Sequence, residues 1–158
     1  MKTILIDPTE MKVRPLELPS GDLTNIIEAI ETAESTDVIS FTIGVDIWID
    51  DEALMAVSDT TRWFIIKNTS SEPIHLTSGK ALVTGVNGNG DTIEIPGWLT
   101  VESVSNRIAF VPAEKSEAAA SIAEQILELT GPVSTEEELQ NVQKQYAVLM
   151  ALAEELTV

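Results

Sequence analysis

His75 is the single histidine of this chain, and there is no cysteine. Thiol nucleophiles, thiolate metal sites and disulfides are therefore excluded together. A Ser-His-Asp arrangement would have to use His75. It stands in Glu72-Pro73-Ile74-His75 with no nucleophile motif beside it, so a solvated loop imidazole is expected. Ser78-Gly79-Lys80 has the ending of a phosphate loop, but that motif needs Gly where Ile74 stands and Ser or Thr where Ala81 stands. Gly85, Gly88 and Gly90 do not lead from a strand into a helix, as a dinucleotide fingerprint requires, and read as turn glycines.

Carboxylates are the remaining chemistry. Asp46, Asp50, Asp51 and Glu52 are the best metal candidates. On a straight strand Asp46 and Asp50 stand roughly 13 Å apart, at about 3.3 Å per residue. Ligands to one hard cation lie about 2.0–2.6 Å from it. An EF-hand loop starting at Asp46 also fails: Trp48 takes a ligand position, Asp51 the glycine and Val57 the bidentate Glu. Neither a metal nor a cofactor is expected.

Glu114, Glu117, Glu124 and Glu128 fall on one helical stripe, opposite Ala119, Ile122, Ile126 and Leu129. Such a stripe can imitate a phosphate backbone and enter the cationic groove of an enzyme that handles DNA. About fourteen residues at about 1.5 Å rise span roughly 21 Å. Four charges over that length are several times sparser than duplex DNA, at about one per 1.7 Å of axis. Neighbouring elements or a second subunit must supply the rest.

The elements that position these residues are legible in the periodicity. From Asp37 to Leu54, apolar side chains recur at Ile39, Phe41, Ile43, Val45, Ile47 and Ile49, every second residue. That is a β-strand with one covered face, and its length predicts the middle of a sheet, with Gly44 marking a bulge or a break into a hairpin. Trp48 lies on the other, polar face; either a second layer covers that face or Trp48 anchors a partner. Strands are expected at Lys2–Ile6, Met11–Leu18, Arg62–Lys67, Lys80–Val86, Asp91–Ile95 and Ile108–Val111. Pro15 predicts an edge position for the second of these, and Asn87-Gly88-Asn89-Gly90 predicts a hairpin turn. Asn68 to Gly79 reads as loop.

Leu23, Ile26, Ile27 and Ile30 predict a helix opened by Ser20 or Asp22, with Glu28, Glu31 and Glu34 facing outward. A helical turn is expected at Glu52 to Val57, and a short helix at Thr100 to Arg107 with Thr100 as cap. Beyond Pro112 the period becomes helical. Gly131-Pro132 ends one helix, and Ser134 and Thr135 precede Glu137 and Glu138 as two overlapping capping boxes. Leu139, Val142, Tyr146, Leu149, Ala153 and Leu156 then keep heptad spacing, a seam suited to a helical hairpin or to pairing with a second copy.

Composition bounds the class. The chain has 158 residues, is 44% hydrophobic but 4% aromatic, and carries a net charge of −17. It can build an aliphatic core, while its charge opposes direct binding to nucleic acid or anionic lipid. No segment reads as a signal peptide or a membrane span, so a cytoplasmic protein is expected.

Val45-Asp46-Ile47-Trp48-Ile49-Asp50-Asp51-Glu52, Ser78-Gly79-Lys80-Ala81-Leu82-Val83-Thr84-Gly85 with Gly90-Asp91, and Leu99-Thr100-Val101-Glu102 before Phe110 resemble a family of uncharacterised domains from phages, plasmids and other mobile elements. The resemblance covers roughly residues 1–112. It carries no catalytic or ligand residue across. Members of that family often sit near antirestriction genes, which implies a counter-defence role in a host cytoplasm.

The sequence therefore predicts an α+β fold: a mostly antiparallel sheet with one main covering helix over residues 1–112, then a helical hairpin over 113–158. The expected function is non-enzymatic. The protein would bind and inhibit a basic host protein, of a defence or nucleic-acid-handling kind, through Glu114, Glu117, Glu124, Glu128 and Trp48. One alternative is a small-molecule or nucleotide binder using the Gly-rich hairpin, Trp48 and Trp98. Another is a homo-oligomeric assembly protein joined along Leu139, Val142, Tyr146, Leu149, Ala153 and Leu156.

Overall fold

Alternation along the strands builds four layers. A computed structural model describes residues 1–32, 35–55, 58–129 and 131–158. Glu34, expected to face outward, and Val57, expected to close a helical turn, lie outside the described residues. The elements in chain order are β1 (Lys2–Asp7), β2 (Lys12–Glu17), α1 (Leu23–Ile30), β3 (Thr36–Thr42), β4 (Val45–Asp50), β5 (Trp63–Lys67), β6 (Ile74–Ser78), β7 (Ala81–Val86), β8 (Thr92–Ile93), α2 (Val101–Ser105), β9 (Ile108–Phe110), α3 (Ser116–Glu128) and α4 (Glu136–Glu155). Short 3-10 turns at Ala53–Met55 and Ala113–Lys115 complete them. The fold is α+β, and every strand pairing is antiparallel.

The strands form two sheets rather than one. The larger runs β2-β1-β7-β4-β3, with β8 also on β7; the smaller runs β6-β5-β9. One face of the larger sheet places Ile4, Ile6, Ile47, Ala81 and Val83 against Phe64 and Ile66 of the smaller, with Leu99 and Val104 closing the side. The opposite face places Leu5, Leu82 and Trp48 under Ile26 and Ile30 of α1. The outer face of the smaller sheet, Trp63, Ile65 and Leu76, is covered by Ala119, Ile122 and Ile126 of α3 and Leu149, Met150 and Ala153 of α4. The order of layers is α1, large sheet, small sheet, then α3 with α4. β4 alternates because one of its faces is buried between the sheets, while the other, with Trp48, is only partly covered by α1.

The long alternating stretch is a hairpin, not one strand. Thr42 pairs with Val45, so Ile43-Gly44 is the turn, with Gly44 at φ +78, where glycine has no steric penalty. Ile43 is consequently 94% exposed, while Ile39, Phe41, Val45, Ile47 and Ile49 share the core. The hairpin is also not central: β3 is an edge strand, and β7 occupies the middle, between β1 and β4. β7 reads as a continuous apolar run because both its faces are covered. At its far end, a Cβ on Gly85 would stand 2.2 Å from the Glu94 carbonyl oxygen, so only glycine lets the chain after β8 pass so close.

Other expectations hold in detail. β2 is an edge strand, and Pro15 lies on it. Asp7 Oδ1 accepts the N–H groups of Thr9 at 3.0 Å and Glu10 at 3.3 Å, which closes the first turn. Asp22 is the N-cap position of α1, and Ser20 Oγ accepts from the Asn25 side chain at 2.9 Å. Thr100 caps α2 in a capping box with Ser103. Of the two overlapping boxes before α4, Thr135 is the one used: its Oγ1 accepts the Glu138 N–H at 3.1 Å. The Glu138 carboxylate reaches back to the N–H and Oγ of Ser134 at 3.0 and 3.1 Å, and these bonds draw its pKa down.

Candidate functional site

The acidic stripe is a consequence of how α3 is buried. Ala119, Ile122, Ala123 and Ile126 enter the core, so the opposite side of the helix must face solvent. Glu117, Glu124 and Glu128 lie there, with Glu114 on the preceding 3-10 turn, and all four are exposed. Glu117 and Glu128 are about 16 Å apart along the axis, at about 1.5 Å per residue. Ion pairs among the described residues join the N-terminal amine to Glu17, His75 to Glu72 and Lys80 to Glu31. None of the four carboxylates of the stripe is in an ion pair among the described residues.

An apolar groove runs beside the stripe. Glu128 and Leu129 form one wall, and Lys144, Val148, Leu149 and Leu152 of α4 the other, around a volume of about 410 Å³. Val148 is 60% exposed and Leu152 45%, although both lie within two turns of the buried Leu149 and Ala153. The heptad seam explains the difference. Tyr146, Leu149, Ala153 and Leu156 pack into the layer between α4 and the small sheet, while Leu139 is 44% exposed and Val142 half-buried. The second half of the seam is thus occupied inside the chain, and Val148 and Leu152 belong to a different face of the same helix.

Trp48 sits on β4 beneath α1. Its indole N–H donates to Thr84 Oγ1 at 2.9 Å, and its ring packs with Leu5, Leu82, Ile26 and Ile30, leaving it half-buried. The layer covering the polar face of the hairpin is therefore α1. Trp98 is 63% exposed, in the loop before α2. Trp48 pairs with Leu82, five residues along β7 from Asn87, so the Gly-rich turn lies roughly 16 Å away, at about 3.3 Å per residue. The structure does not bring Trp48 and that turn together.

The acidic candidates around the hairpin are dispersed. Asp46 is half-buried in β4, and burial pushes its carboxyl pKa up. Asp50 Oδ1 accepts the Glu52 N–H at 2.9 Å, and Asp51 Oδ1 accepts from Ser35 Oγ at 2.8 Å. Among the described residues no three His, Cys, Asp or Glu side chains converge as a metal site.

The sequence missed one cluster. Asn68 to Gly79 contains β6, an edge strand of the small sheet, and His75 is part of it rather than a solvated loop residue. The Nδ1 of His75 is hydrogen-bonded to Glu72 Oε1, and the Tyr146 hydroxyl donates to Glu72 Oε2. Both the Glu72 and His75 side chains are 22% exposed. This carboxylate, shared by an imidazole and a phenol, ties α4 to the sheet edge. Pro73 and the polar flanks mask the strand. Only the spacing of Ile74 and Leu76 signals it.

No family model matches the chain, and neither a curated protein nor a solved structure does. Among the described residues no helix is long and apolar enough to cross a membrane.

Proposed function

We propose that this protein is a non-enzymatic binding module that docks and inhibits a basic protein, of the kind that handles nucleic acid, through the acidic face of α3. The observation that carries this reading is the stripe of Glu114, Glu117, Glu124 and Glu128, exposed throughout and in no ion pair among the described residues. With −17 net charge, the same surface repels nucleic acid itself and steers a cationic protein toward it. The likeness of residues 1–112 to mobile-element domains extends the proposal: the partner belongs to host defence.

The test is capture of basic proteins on the full chain, eluted with a salt gradient, followed by the same capture on Glu117→Lys with Glu124→Lys. A nucleic-acid-handling protein that leaves at moderate salt and is lost by the double variant supports the proposal, because exposed ionic contacts are screened there. Retention by the double variant at the same salt would overturn it.

A further inference from the structure

We infer that the groove between α3 and α4 receives an amphipathic helix of that basic partner, with its apolar ridge on Val148, Leu152 and Leu129 and its cationic flank against α3. The inference rests on the acidic-surface reading and names the element recognised.

Three observations lead here. The groove floor is apolar and open: Val148 and Leu152 are exposed at 60% and 45%, and Leu129 faces them across about 410 Å³. Isolated exposed aliphatic side chains are ordinary, but here they line a concavity between two helices. The α3 wall carries Gln125 and Glu128, and Glu124 stands one turn earlier, outside the lining; both carboxylates are exposed and in no ion pair among the described residues. The α4 wall carries Lys144. The groove is therefore anionic at Glu128, beside the acidic stripe of α3, and cationic at Lys144 on the other side. A bound helix would set Lys or Arg toward α3 and a neutral or acidic residue toward Lys144, which fixes its orientation.

The walls also decide the conformation of the occupant. Both are helices, whose backbone groups are bonded internally, so no free strand edge is present to pair with an extended peptide. A helix arrives with its own backbone satisfied and needs only side-chain complementarity. Lys144 to Leu152 spans about 12 Å, room for apolar anchors one and two turns apart. A second copy of this chain fits the charge poorly, because its own Glu124 and Glu128 flank the same groove.

The test uses the full chain and two synthetic peptides of about 18 residues, five helical turns. One has Leu at helical spacing with Lys along one flank; the other has the same composition shuffled so that its Leu residues surround the helix. The amphipathic peptide should bind at least about tenfold more tightly than the shuffled one. It should also shift the methyl NMR signals of Val148 and Leu152. Val148→Asp with Leu152→Asp should remove the preference while the cooperative thermal melt persists, since both side chains are exposed in the fold. Equal binding of both peptides, with unmoved methyl signals, would overturn the groove inference and leave the acidic-surface proposal standing. Light scattering that shows a dimer dissociated by Val148→Asp would also overturn it, because the occupant would then be a second copy.

Discussion

Tyr146 on α4 donates its phenolic O–H to Glu72, which stands just before β6 and also takes the imidazole of His75. One carboxylate thereby joins the C-terminal helix to the edge of the small sheet. Burial alone would raise the Glu72 pKa. The hydrogen bonds from His75 and Tyr146, with the charge on His75, outweigh it and hold the carboxyl below its ordinary 4.5. Tyr146 is pushed above its ordinary 10.0 by burial first, then by the Glu72 hydrogen bond and charge.

These shifts have opposite signs in pH. A depressed carboxyl pKa contributes stability that is present above 4.5 and lost as pH falls through the folded value. A raised phenol pKa contributes stability that is present below 10.0 and lost as pH rises beyond it. Tyr146→Phe should cost about 1.5 kcal/mol at neutral pH, as for a hydrogen bond to a charged acceptor. The gap between the two proteins should narrow above pH 10.0 and again below 4.5. Urea denaturation across that range measures it. A constant gap would show that the hydroxyl and carboxylate are not coupled.

Arg107 should matter as a clamp between sheets. Its Nε donates to the Lys67 carbonyl at 3.0 Å, and Nη2 donates to the carbonyls of Asn68 and of Phe41, the latter at 3.1 Å; the guanidinium lies 3.6 Å from the centre of the Phe41 ring. Phe41 belongs to β3 of the large sheet, and Lys67 ends β5 of the small one. Arg107→Ala should cost about 2–3 kcal/mol, with carbonyls left unpaired in a half-buried site. Arg107→Lys should recover less than half, because an ammonium cannot supply the planar fork. Full recovery by Lys in a denaturant titration would show that charge alone holds the clamp.

The β3–β4 turn separates residues that the alternation places in one row. Ile43→Ser should change stability by no more than about 0.5 kcal/mol, as expected at an exposed site. Ile47→Ala, at a fully buried site on β4, should cost about 2–5 kcal/mol. Paired thermal and chemical melts decide it. A large cost at Ile43 would place that side chain against a surface the fold does not show.

Most element positions were legible because their signals are local. Thr100 and Thr135 mark helix starts through hydrogen bonds within one turn, and Asn87 to Gly90 closes its hairpin through Asn87 Oδ1, which accepts from the N–H groups of Asn89 at 2.9 Å and Asp91 at 3.0 Å. The acidic stripe on α3 was legible for the same reason: helical spacing sets its acidic and apolar faces apart. The groove beside it was not. Val148 and Leu152 belong to no periodic seam, and their exposure depends on which face of α4 the small sheet selects.

The sequence by itself determined an aliphatic α+β protein, its antiparallel hairpins, its helix caps, and an excess of acid with no thiol chemistry attached. Tertiary structure alone decided that the strands divide into two stacked sheets, that β7 rather than the longest alternating stretch is central, and that Glu72, His75 and Tyr146 meet. The physical reason is distance along the chain. Caps and turns are settled by bonds among neighbours, whereas Glu72 and Tyr146 lie 74 residues apart and meet only after the small sheet has taken α4 as its cover.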